Sequence, residues 1–389
     1  MVHMSNEAAP LAGIIVVSME QAISAPFASR QLADLGATVI KVERPEGDFA
    51  RHYDSIVKGT SAFFVWANRG KQSITVDMAH DAEVATLEAL IAGADVFIHN
   101  ISPSAAKRRG IDAASLHARF PHLIACEISG YGAEGPRGGD KAYDLAIQAE
   151  AGVFSVTGNE EMSKVGFSVA DIASGMYALS SILAALVKKE RTGEGSAISL
   201  SMLECLAEWV SAPMYAAVYG KGQAPRTGRR HHAIAPYGTF NLSDGRTVLL
   251  AVQSDREWCD MAEHLLGDAA LGTDPRFVTN SDRLAHVDEL EALIREALAA
   301  QSVDVTLERL RSGRTAFAWV NDLQGVWNHE QLRAQGHFHD VRTDSATVEM
   351  IAPPFGFHGA GPLNDWIPGL NEHDDVIIEQ VIARGKARN

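Results

Sequence analysis

Short apolar runs alternate with helical patterns over the first third of the chain. Residues 14–43, "IIVVSMEQAISAPFASRQLADLGATVIKVE", predict a strand, a loop, a helix and a second strand. Further apolar runs occur at "SITVDM", "ADVFIHN" and "HLIACEISGY", and helical patterns such as residues 81–93 separate them. Strands that alternate with helices favour a parallel sheet with right-handed crossovers, so this region predicts a doubly wound α/β domain.

The loops after these strands are the expected ligand-binding positions, because ligands of such sheets collect at the carboxyl ends of the strands. The loops span residues 18–25, 43–47, 100–104 and 129–139, and the last is rich in glycine. A dinucleotide is not expected there. The turn after the first strand, "SMEQAISAP", lacks the G-x-G-x-x-G glycines that let a pyrophosphate approach the following helix.

From about residue 225 the pattern becomes that of an antiparallel sheet with helices. "PYGTFNLSDGRTVLLAV" predicts a hairpin that turns at residues 243–245, and residues 282–299 predict one amphipathic helix. The tail "NEHDDVIIEQVIARGK" predicts a helix that rejoins the first domain. We therefore expect a large domain over residues 9–205, a linker over 206–230, a small α+β domain over 231–322, and a linker with a C-terminal return to the large domain over 323–389.

Composition narrows the functional classes. With 389 residues, 46% of them hydrophobic and 21% charged, the chain is long and apolar enough for a sizeable globular core. The net charge of −15 argues against a nucleic-acid surface. The longest clean apolar run, Tyr177–Val187, is too short to cross a membrane, and the N-terminus lacks a signal peptide, so we expect a cytoplasmic protein. The three cysteines have no metal-ligand spacing, so no metal site is predicted.

One carboxylate, Asp171, begins the apolar helix in "FSVADIASGMYALSSILAALVKKE". It has two possible roles. Ser168 and Asp171 have the spacing of a capping box. Alternatively, the apolar flanks give the carboxylate a low-dielectric setting, the helix N-terminus favours its ionised form, and Gly175 leaves room for a bulky electrophile. Such an aspartate acts as a nucleophile or as a general base, and the spacing does not separate these two functions.

Basic side chains recur after successive predicted strands and before Tyr143. They are Arg44, Lys107, Arg108, Arg109, Arg137 and Lys141. Surface charge is the ordinary explanation for any one of them. Their recurrence favours a phosphorylated ligand whose aromatic base packs on Tyr143 or on an apolar side chain.

A second basic segment, "GRRHHAIAPYGTF", contains Arg229, Arg230, His231 and His232. Adjacent histidines in a strand would point to opposite faces, so they are not expected to form a metal pair. The alternative to plain surface charge is a loop that binds a carboxylate through arginine, because a guanidinium group suits bidentate carboxylate recognition.

An ordered set of segments over nearly the whole chain resembles the family III CoA-transferases, a group that also contains α-methylacyl-CoA racemase. These segments include "APFASRQLADLGATVIKVERPEGD", "NRGKQSITVDM", "ADVFIHNISPSAAKRRGID", "AYDLAIQAEAGVFSVTG", "VADIASGMYALSSILAAL", "RTGEGSAISLSMLE" and "IPGLNEH". The order of the segments, rather than any one of them, makes the resemblance specific. It implies an α/β fold with a Rossmann-like large domain built from both chain ends, a small domain, and two chains interlocked in an obligate homodimer.

The resemblance also implies the chemistry. Asp171 would be the covalent nucleophile that forms an aspartyl anhydride and then an aspartyl-CoA thioester. Coenzyme A and acyl-CoA would be substrates, with no permanent cofactor and no metal. The implied contacts of CoA are Arg44, Val76, Asn100, Arg108, Lys141 and Tyr143. The implied contacts of the acid substrate are Arg229, Arg230, His232, Tyr237 and Gly238.

Departures from the family pattern bear on the substrate. Ile23 and "IAPYGTF" differ from the formyl-CoA and oxalate enzymes, which argues against oxalate. "RRHHAIAPYG" resembles members that act on C4 and C5 dicarboxylates. We therefore predict CoA transfer from a donor such as succinyl-CoA to a small organic acid, expected to be dicarboxylic. The alternatives are a racemase, which would need a histidine in place of Tyr143, and a non-catalytic CoA-binding protein.

Overall fold

The computed structural model describes residues 9–220, 222–355 and 363–388. The chain divides into two compact units. Of the described residues, the larger unit contains 9–153, 164–212, 331–355 and 363–388, and the smaller unit contains 154–163, 213–220 and 222–330. The domain boundaries expected from the sequence stay a prediction about independently folding domains, because compactness alone does not test independent folding.

The strands and helices have the following bounds. The strands are β1 Ile15–Met19, β2 Thr38–Glu43, β3 Lys71–Thr75, β4 Val96–His99, β5 Ile124–Ser129, β6 Ser196–Ser201, β7 Tyr237–Asn241, β8 Thr247–Ala251, β9 Ala316–Trp319, β10 Phe338–Arg342 and β11 Thr347–Ile351. The α-helices are α1 Ser24–Asp34, α2 Ala62–Asn68, α3 Asp81–Gly93, α4 Pro103–Arg109, α5 Ala113–Arg119, α6 Asp144–Glu150, α7 Val153–Val156, α8 Val169–Thr192, α9 Met202–Trp209, α10 Ser211–Tyr219, α11 Asp255–Met261, α12 Asn280–Ala285, α13 Val287–Ala299, α14 Val303–Ser312, α15 Leu323–Trp327, α16 Glu330–Ala334 and α17 Asp375–Arg388.

The larger unit is built on one parallel sheet with the strand order β3-β2-β1-β4-β5-β6. This is the order of a doubly wound Rossmann fold, so the predicted α/β class is confirmed. The order reverses at β1, whose neighbours are β2 and β4, and ligands of such sheets bind beside this reversal. The apolar pattern did not predict β6, because it is an edge strand whose residues alternate between half-buried and exposed positions up to the buried Ser201.

Two hydrophobic clusters cover the two faces of this sheet. Val16 and Ile98 point to the face covered by α1 and α8, and Val17 and Phe97 point to the face covered by α3 and α17. The C-terminal helix α17 packs against α3 in the larger unit. Among the described residues, α8 is long and apolar enough to span a bilayer, but half of it is buried and that half belongs to the core.

The smaller unit contains the antiparallel sheet β7-β8-β9. Its predicted hairpin is confirmed, because β7 and β8 pair with Asn241 opposite Thr247. The single helix predicted over residues 282–299 is wrong in extent. The chain breaks at His286 between α12 and α13, and α13 buries the apolar face of Leu290, Ile294 and Leu298.

Candidate active site

Asp171 lies in the first turn of α8, and its neighbour in space is a second carboxylate, that of Asp144. The predicted capping box is absent, because the Ser168 side chain makes no cap hydrogen bond. Asp144, the first residue of α6, takes its place: its Oδ1 accepts hydrogen bonds from the amides of Ala170 at 2.8 Å and Asp171 at 3.4 Å. The cap therefore comes from a distant part of the chain, which local sequence spacing does not reveal.

Gln148 fixes both Asp144 and the segment that leads into α8. This buried side chain donates from Nε2 to Asp144 Oδ2 at 2.7 Å and to the Phe167 carbonyl at 3.3 Å. Its Oε1 accepts a hydrogen bond from the amide of Val165 at 2.9 Å. The main chain that leads into and includes Asp171 is therefore held by the side chains of Gln148 and Asp144.

The carboxylate of Asp171 is electrostatically unusual. Within the described part of the chain, no group donates a hydrogen bond to it. Burial first, and then the negative charge of Asp144, raise the pKa of Asp171 to about 7. The sequence predicted that the helix N-terminus would favour the ionised form, and this is wrong. The amides at the helix start bind Asp144 instead, and burial disfavours the charged form of Asp171.

Gly175, one helical turn after Asp171, does not open space for a ligand. A Cβ atom at this position would lie 2.8 Å from the carbonyl oxygen of Ser24 and 2.9 Å from Cδ1 of Phe27. The expected room for an electrophile is therefore wrong. The glycine lets α8 approach the N-terminus of α1 closely, and this contact ties the start of α8 to the loop after β1.

A cavity of about 390 Å³ lies at the carboxyl ends of β1, β2 and β3. Its walls include Arg44 and Val76, two of the predicted CoA contacts, and the apolar side chains of Met78 and Ile101. Arg109 lines the cavity, whereas the predicted Arg108 does not and is exposed. The lining also contains five carboxylates, those of Glu20, Glu43, Glu46, Asp48 and Asp77. The volume suits part of a nucleotide ligand, and the two arginines are the groups that could bind its phosphates.

The other predicted CoA contacts have different surroundings. Asn100 follows β4 and bonds to the loop after β1: its Nδ2 donates to the Gln21 carbonyl at 2.8 Å and to Ser24 Oγ at 3.0 Å. Lys141 is exposed, and Tyr143, immediately before Asp144, is 74% exposed. A direct contact of these residues with CoA stays a prediction.

Tyr53 is a candidate site residue that the sequence analysis missed. Burial raises the pKa of its phenol, and the charges of Asp48 and Asp171 and the nearby Tyr143 raise it further. The ring packs edge-on against Phe63 with 5.7 Å between the ring centres. Tyr53 therefore lies in the electrostatic field of Asp171. It follows a short 3₁₀-helix in a segment without helical or strand periodicity, so no sequence signal identified it.

The predicted contacts of the acid substrate lie in the smaller unit, where a cavity of about 810 Å³ is lined by Arg226, Arg229, Arg230 and Arg295 among others. Arg230 is paired with Asp288 at 2.9 Å and with Glu291 at 3.7 Å. Arg229 is exposed and forms no ion pair with any described residue. Of the two predicted arginines, Arg229 therefore has the guanidinium group that is available to a ligand.

The two histidines of this segment precede β7 in a loop. The ring of His231 stacks on His232 at 4.8 Å and on Tyr237 at 5.2 Å, so the prediction that the histidines point to opposite faces is wrong. Gly238 is buried against Arg230, with which it forms an isolated bridge. Within the described residues, no group of three or more His, Cys, Asp or Glu side chains could hold a metal ion.

The family model of the CoA-transferase family III matches residues 11–374. The chain belongs to this family. As a family III CoA-transferase it is an enzyme whose relatives act on CoA thioesters. It is 32% identical to the succinate–glutarate CoA-transferase of Agrobacterium fabrum over 90% of this chain and 89% of that protein. It is 34% identical to the acetyl-CoA:oxalate CoA-transferase of Acetobacter aceti over 84% of each chain.

Solved structures share the fold of this family III CoA-transferase. The crystal structure of a CAIB/BAIF family protein from Brucella suis, 33% identical, matches it with a TM-score of 0.84 over 96% of this chain and 99% of that chain. The structure of Rv3272 from Mycobacterium tuberculosis, 26% identical, matches with a TM-score of 0.83 over 95% and 99%.

Proposed function

We propose that this enzyme moves CoA from an acyl-CoA donor to a small organic acid through covalent intermediates on Asp171. The observation that carries the proposal is a partly buried carboxylate, at the start of α8, that accepts no hydrogen bond from the described residues and has a pKa raised to about 7. Such a carboxylate is more basic than an ordinary aspartate and is therefore a better nucleophile once ionised.

In the proposed first half-reaction, an Asp171 oxygen attacks the thioester carbonyl, the C–S bond breaks, and CoA leaves as a thiolate. The thiolate attacks Cγ of Asp171, and the donor acid leaves as a carboxylate. The acceptor carboxylate then attacks the aspartyl-CoA thioester and forms a second anhydride. The thiolate finally attacks the acceptor carbonyl of this anhydride, which gives the new acyl-CoA and regenerates Asp171. Every step exchanges one acyl bond for another, so the electrons balance without an oxidant or reductant.

We propose that the cavity lined by Arg44 and Val76 takes the nucleotide part of CoA. Two basic side chains of its lining, Arg44 and Arg109, suit phosphate groups, and the apolar side chains of Val76, Met78 and Ile101 suit the adenine. Arg108, Lys141 and Tyr143 are exposed and therefore accessible to the rest of the ligand.

We propose a dicarboxylic acid as the acceptor and succinyl-CoA as a donor to be tested first. The similarity to the succinate–glutarate enzyme supports both choices, and the similarity to the oxalate enzyme keeps oxalate among the acids to be tested. Arg229 is the proposed partner of the distal carboxylate. Arg229→Met should raise KM for glutarate much more than KM for acetate, and Arg230→Met is the matched control because Arg230 is already paired. Equal effects of the two substitutions would contradict this assignment.

The interlocked homodimer and the cytoplasmic location are also proposals. An apolar helix supports the dimer: none of the residues of α10 is buried within the chain, and Met214, Tyr215, Val218 and Tyr219 are exposed. Light scattering at micromolar concentration should give twice the mass of one chain. A monomer would contradict the proposal.

The overall function is tested by mixing the enzyme with succinyl-CoA and a panel of carboxylic acids and by detecting new acyl-CoA products by mass spectrometry. The proposal expects at least one acid to receive CoA. If no acid receives CoA and solvent deuterium enters the α-carbon of a branched acyl-CoA, the enzyme is a racemase. If CoA binds and neither reaction occurs, the protein binds CoA without catalysis.

A further inference from the structure

We propose that Asp48 and Asn100 are positioning residues for Asp171: they hold the turn Gln21–Ser24, and this turn sets the place of the first two turns of α8. The inference rests on the proposed role of Asp171 and adds the groups that keep it in place. Asp48 and Asn100 belong to loops that follow two different strands, β2 and β4, on either side of β1.

The turn that they hold contains a residue in an unfavourable conformation. Ala22 has a φ of +60°, in the left-handed region that residues with a Cβ atom rarely adopt. Such conformations persist where the surrounding structure enforces them, and they cluster at functional sites. This one lies directly after β1, the strand at which the sheet order reverses.

Hydrogen bonds from both neighbouring loops enforce this conformation. Asp48 Oδ1 accepts from the amide of Ala22 at 3.0 Å. Asn100 Oδ1 accepts from the amide of Gln21 at 3.0 Å, and its Nδ2 donates to the carbonyl of the same residue at 2.8 Å. Two consecutive amides of the turn are therefore bound by side chains from outside it.

Asp48 is itself fixed by a buried network of charges. Its Oδ2 pairs with Lys41 at 2.9 Å, and both side chains are fully buried. Lys41 also lies 3.5 Å from Glu20, which pairs with Lys71 at 2.7 Å and accepts from Ser29 Oγ at 2.6 Å. If Asp48 turned away, Lys41 would lose its closest partner in a dry interior, which is strongly unfavourable. The anchor of the turn is therefore rigid.

The position of the turn affects Asp171 because Ser24, at the end of the turn, contacts α8 at Gly175. Asn100 donates to Ser24 Oγ at 3.0 Å, and the carbonyl oxygen of Ser24 is the nearest atom to the Cβ position of Gly175. Gly175 lies one helical turn after Asp171. A displaced turn would therefore displace the start of α8. Asp48 and Gln21 also line the cavity proposed for CoA, so a direct contact with CoA is the rival explanation.

A matched pair of double variants separates the two explanations. Lys41→Met with Asp48→Asn removes the buried ion pair but keeps an amide oxygen that accepts from Ala22. Lys41→Met with Asp48→Leu removes the ion pair and the acceptor. We expect the Leu variant to lose roughly 10- to 100-fold more kcat than the Asn variant, with a smaller change in KM, because a misplaced reacting group costs this much. Adding Ala22→Gly to the Leu variant should restore several-fold of kcat, since glycine adopts the left-handed conformation without strain.

Asp95→Asn is the control for loss of a buried charge. Asp95 precedes β4 at the opposite end from Asn100 and pairs with Lys189 and Arg384. This variant should lower the melting temperature and leave kcat unchanged. Asn100→Ala is the second variant in case the Leu variant does not fold. A positioning role lowers its kcat, whereas a direct contact with CoA raises KM alone.

A titration of the ¹³Cγ signal of Asp171 gives a readout that does not need activity. If Asp48 and Asn100 have the positioning role, Asp171 should titrate at lower pH in the Leu variant and in Asn100→Ala than in the wild type. The reason is that the start of α8 would move away from α1, and water would reach the Asp171 carboxylate more easily. Equal kcat in the Asn and Leu variants with an unchanged Asp171 titration would overturn the inference. If the wild type transfers no CoA but the titration shifts as expected, the proposed function is wrong and the positioning role stands.

Discussion

The two ends of the parallel sheet in the larger unit use buried charge in different ways. At the amino end, Asp95 accepts a hydrogen bond from the amide of Ile15 and pairs with Lys189 and Arg384. At the carboxyl end, the chain holds Ala22 in a left-handed conformation and leaves the carboxylate of Asp171 without a hydrogen-bond donor among the described residues. The carboxylate of Asp95 therefore has hydrogen-bond and ionic partners, whereas the carboxylate of Asp171 has no hydrogen-bond donor among the described residues and is available to react.

This difference indicates that the buried charge at the amino end serves stability, whereas the carboxylate at the carboxyl end serves function. A partly buried carboxylate that accepts no hydrogen bond from the described residues and has a raised pKa costs the fold free energy when it is charged, so it persists where it has another use. The amino end joins α8 and α17 to the sheet through Asp95 and has no comparable unsatisfied carboxylate in the described residues. The carboxyl end is where ligands of α/β sheets bind. Substitution of Asp95 at the amino end should therefore lower stability and leave kcat unchanged, whereas substitution of Asp171 at the carboxyl end should lower kcat and leave the fold intact.

The largest effect is expected from Asp171→Asn. Asparagine has nearly the same shape, so the fold should remain, but the amide cannot form the anhydride. We expect kcat to fall by at least about 10³-fold, as for other covalent nucleophiles. Acyl-CoA formation, measured by chromatography, checks the rate, and circular dichroism checks the fold. A loss below tenfold would mean that Asp171 does not form the covalent intermediate.

The pH dependence of the first half-reaction should follow the ionisation of Asp171. Because the pKa of Asp171 is raised to about 7, the acylation rate should rise about tenfold per pH unit below 7 and level off above it. Asp144→Asn should move the midpoint to lower pH, since it removes the second cause of the raised pKa and keeps an oxygen for the Ala170 amide. Stopped-flow measurement of CoA release checks both curves, and an unshifted midpoint in the variant would contradict the coupling.

A smaller effect, on the free energy of unfolding and not on kcat, is expected at the amino end. Asp95→Asn leaves Lys189 and Arg384 without their anionic partner, and we expect a loss of about 2 kcal/mol in the free energy of unfolding. Urea denaturation measures this loss. The kcat of the folded enzyme should stay at the wild-type value. A large fall in kcat without a loss of stability would contradict a purely structural role of Asp95 at the amino end.

The last effect concerns the free energy that the charged form of Asp171 costs the fold. Because its folded-state pKa lies above the ordinary value of 3.8, the folded chain holds a proton that the unfolded chain releases. The resulting stabilisation is fully present below pH 3.8 and is lost as the pH rises through about 7. The stabilisation of the fold by Asp171→Asn should therefore be greater at pH 8 than at pH 5, by up to about 2.7 kcal/mol. Urea midpoints at the two pH values test this, and an equal effect at both would contradict the raised pKa.

The sequence predicted features that depend on local periodicity. The helix at Asp81–Gly93, the hairpin of β7 and β8 and the alternation of strands and helices are confirmed. The edge strand β6 was missed because its residues lack a continuous apolar run. The amphipathic helix of the smaller unit was predicted as continuous because its apolar spacing gives no sign of the break at His286.

The site depends on contacts between distant residues, and these the sequence did not reveal. Asp171 was identified, but the cap that the sequence offered as an alternative used the nearby Ser168, whereas Asp144 caps the helix in the structure. The role of Gly175 was wrong because a glycine in a helix gives the same signal whether it admits a ligand or a second helix. The left-handed Ala22 has no sequence signature, since alanine is not a residue that favours this conformation.

The covalent role of Asp171 is tested most directly by trapping the intermediate. The enzyme is incubated with succinyl-CoA, quenched with hydroxylamine, digested, and mapped by mass spectrometry, with Asp171→Asn treated in parallel. We predict a hydroxamate on the peptide that contains Asp171 and none in the variant. An enzyme that transfers CoA in the same sample while Asp171 stays unmodified would contradict it.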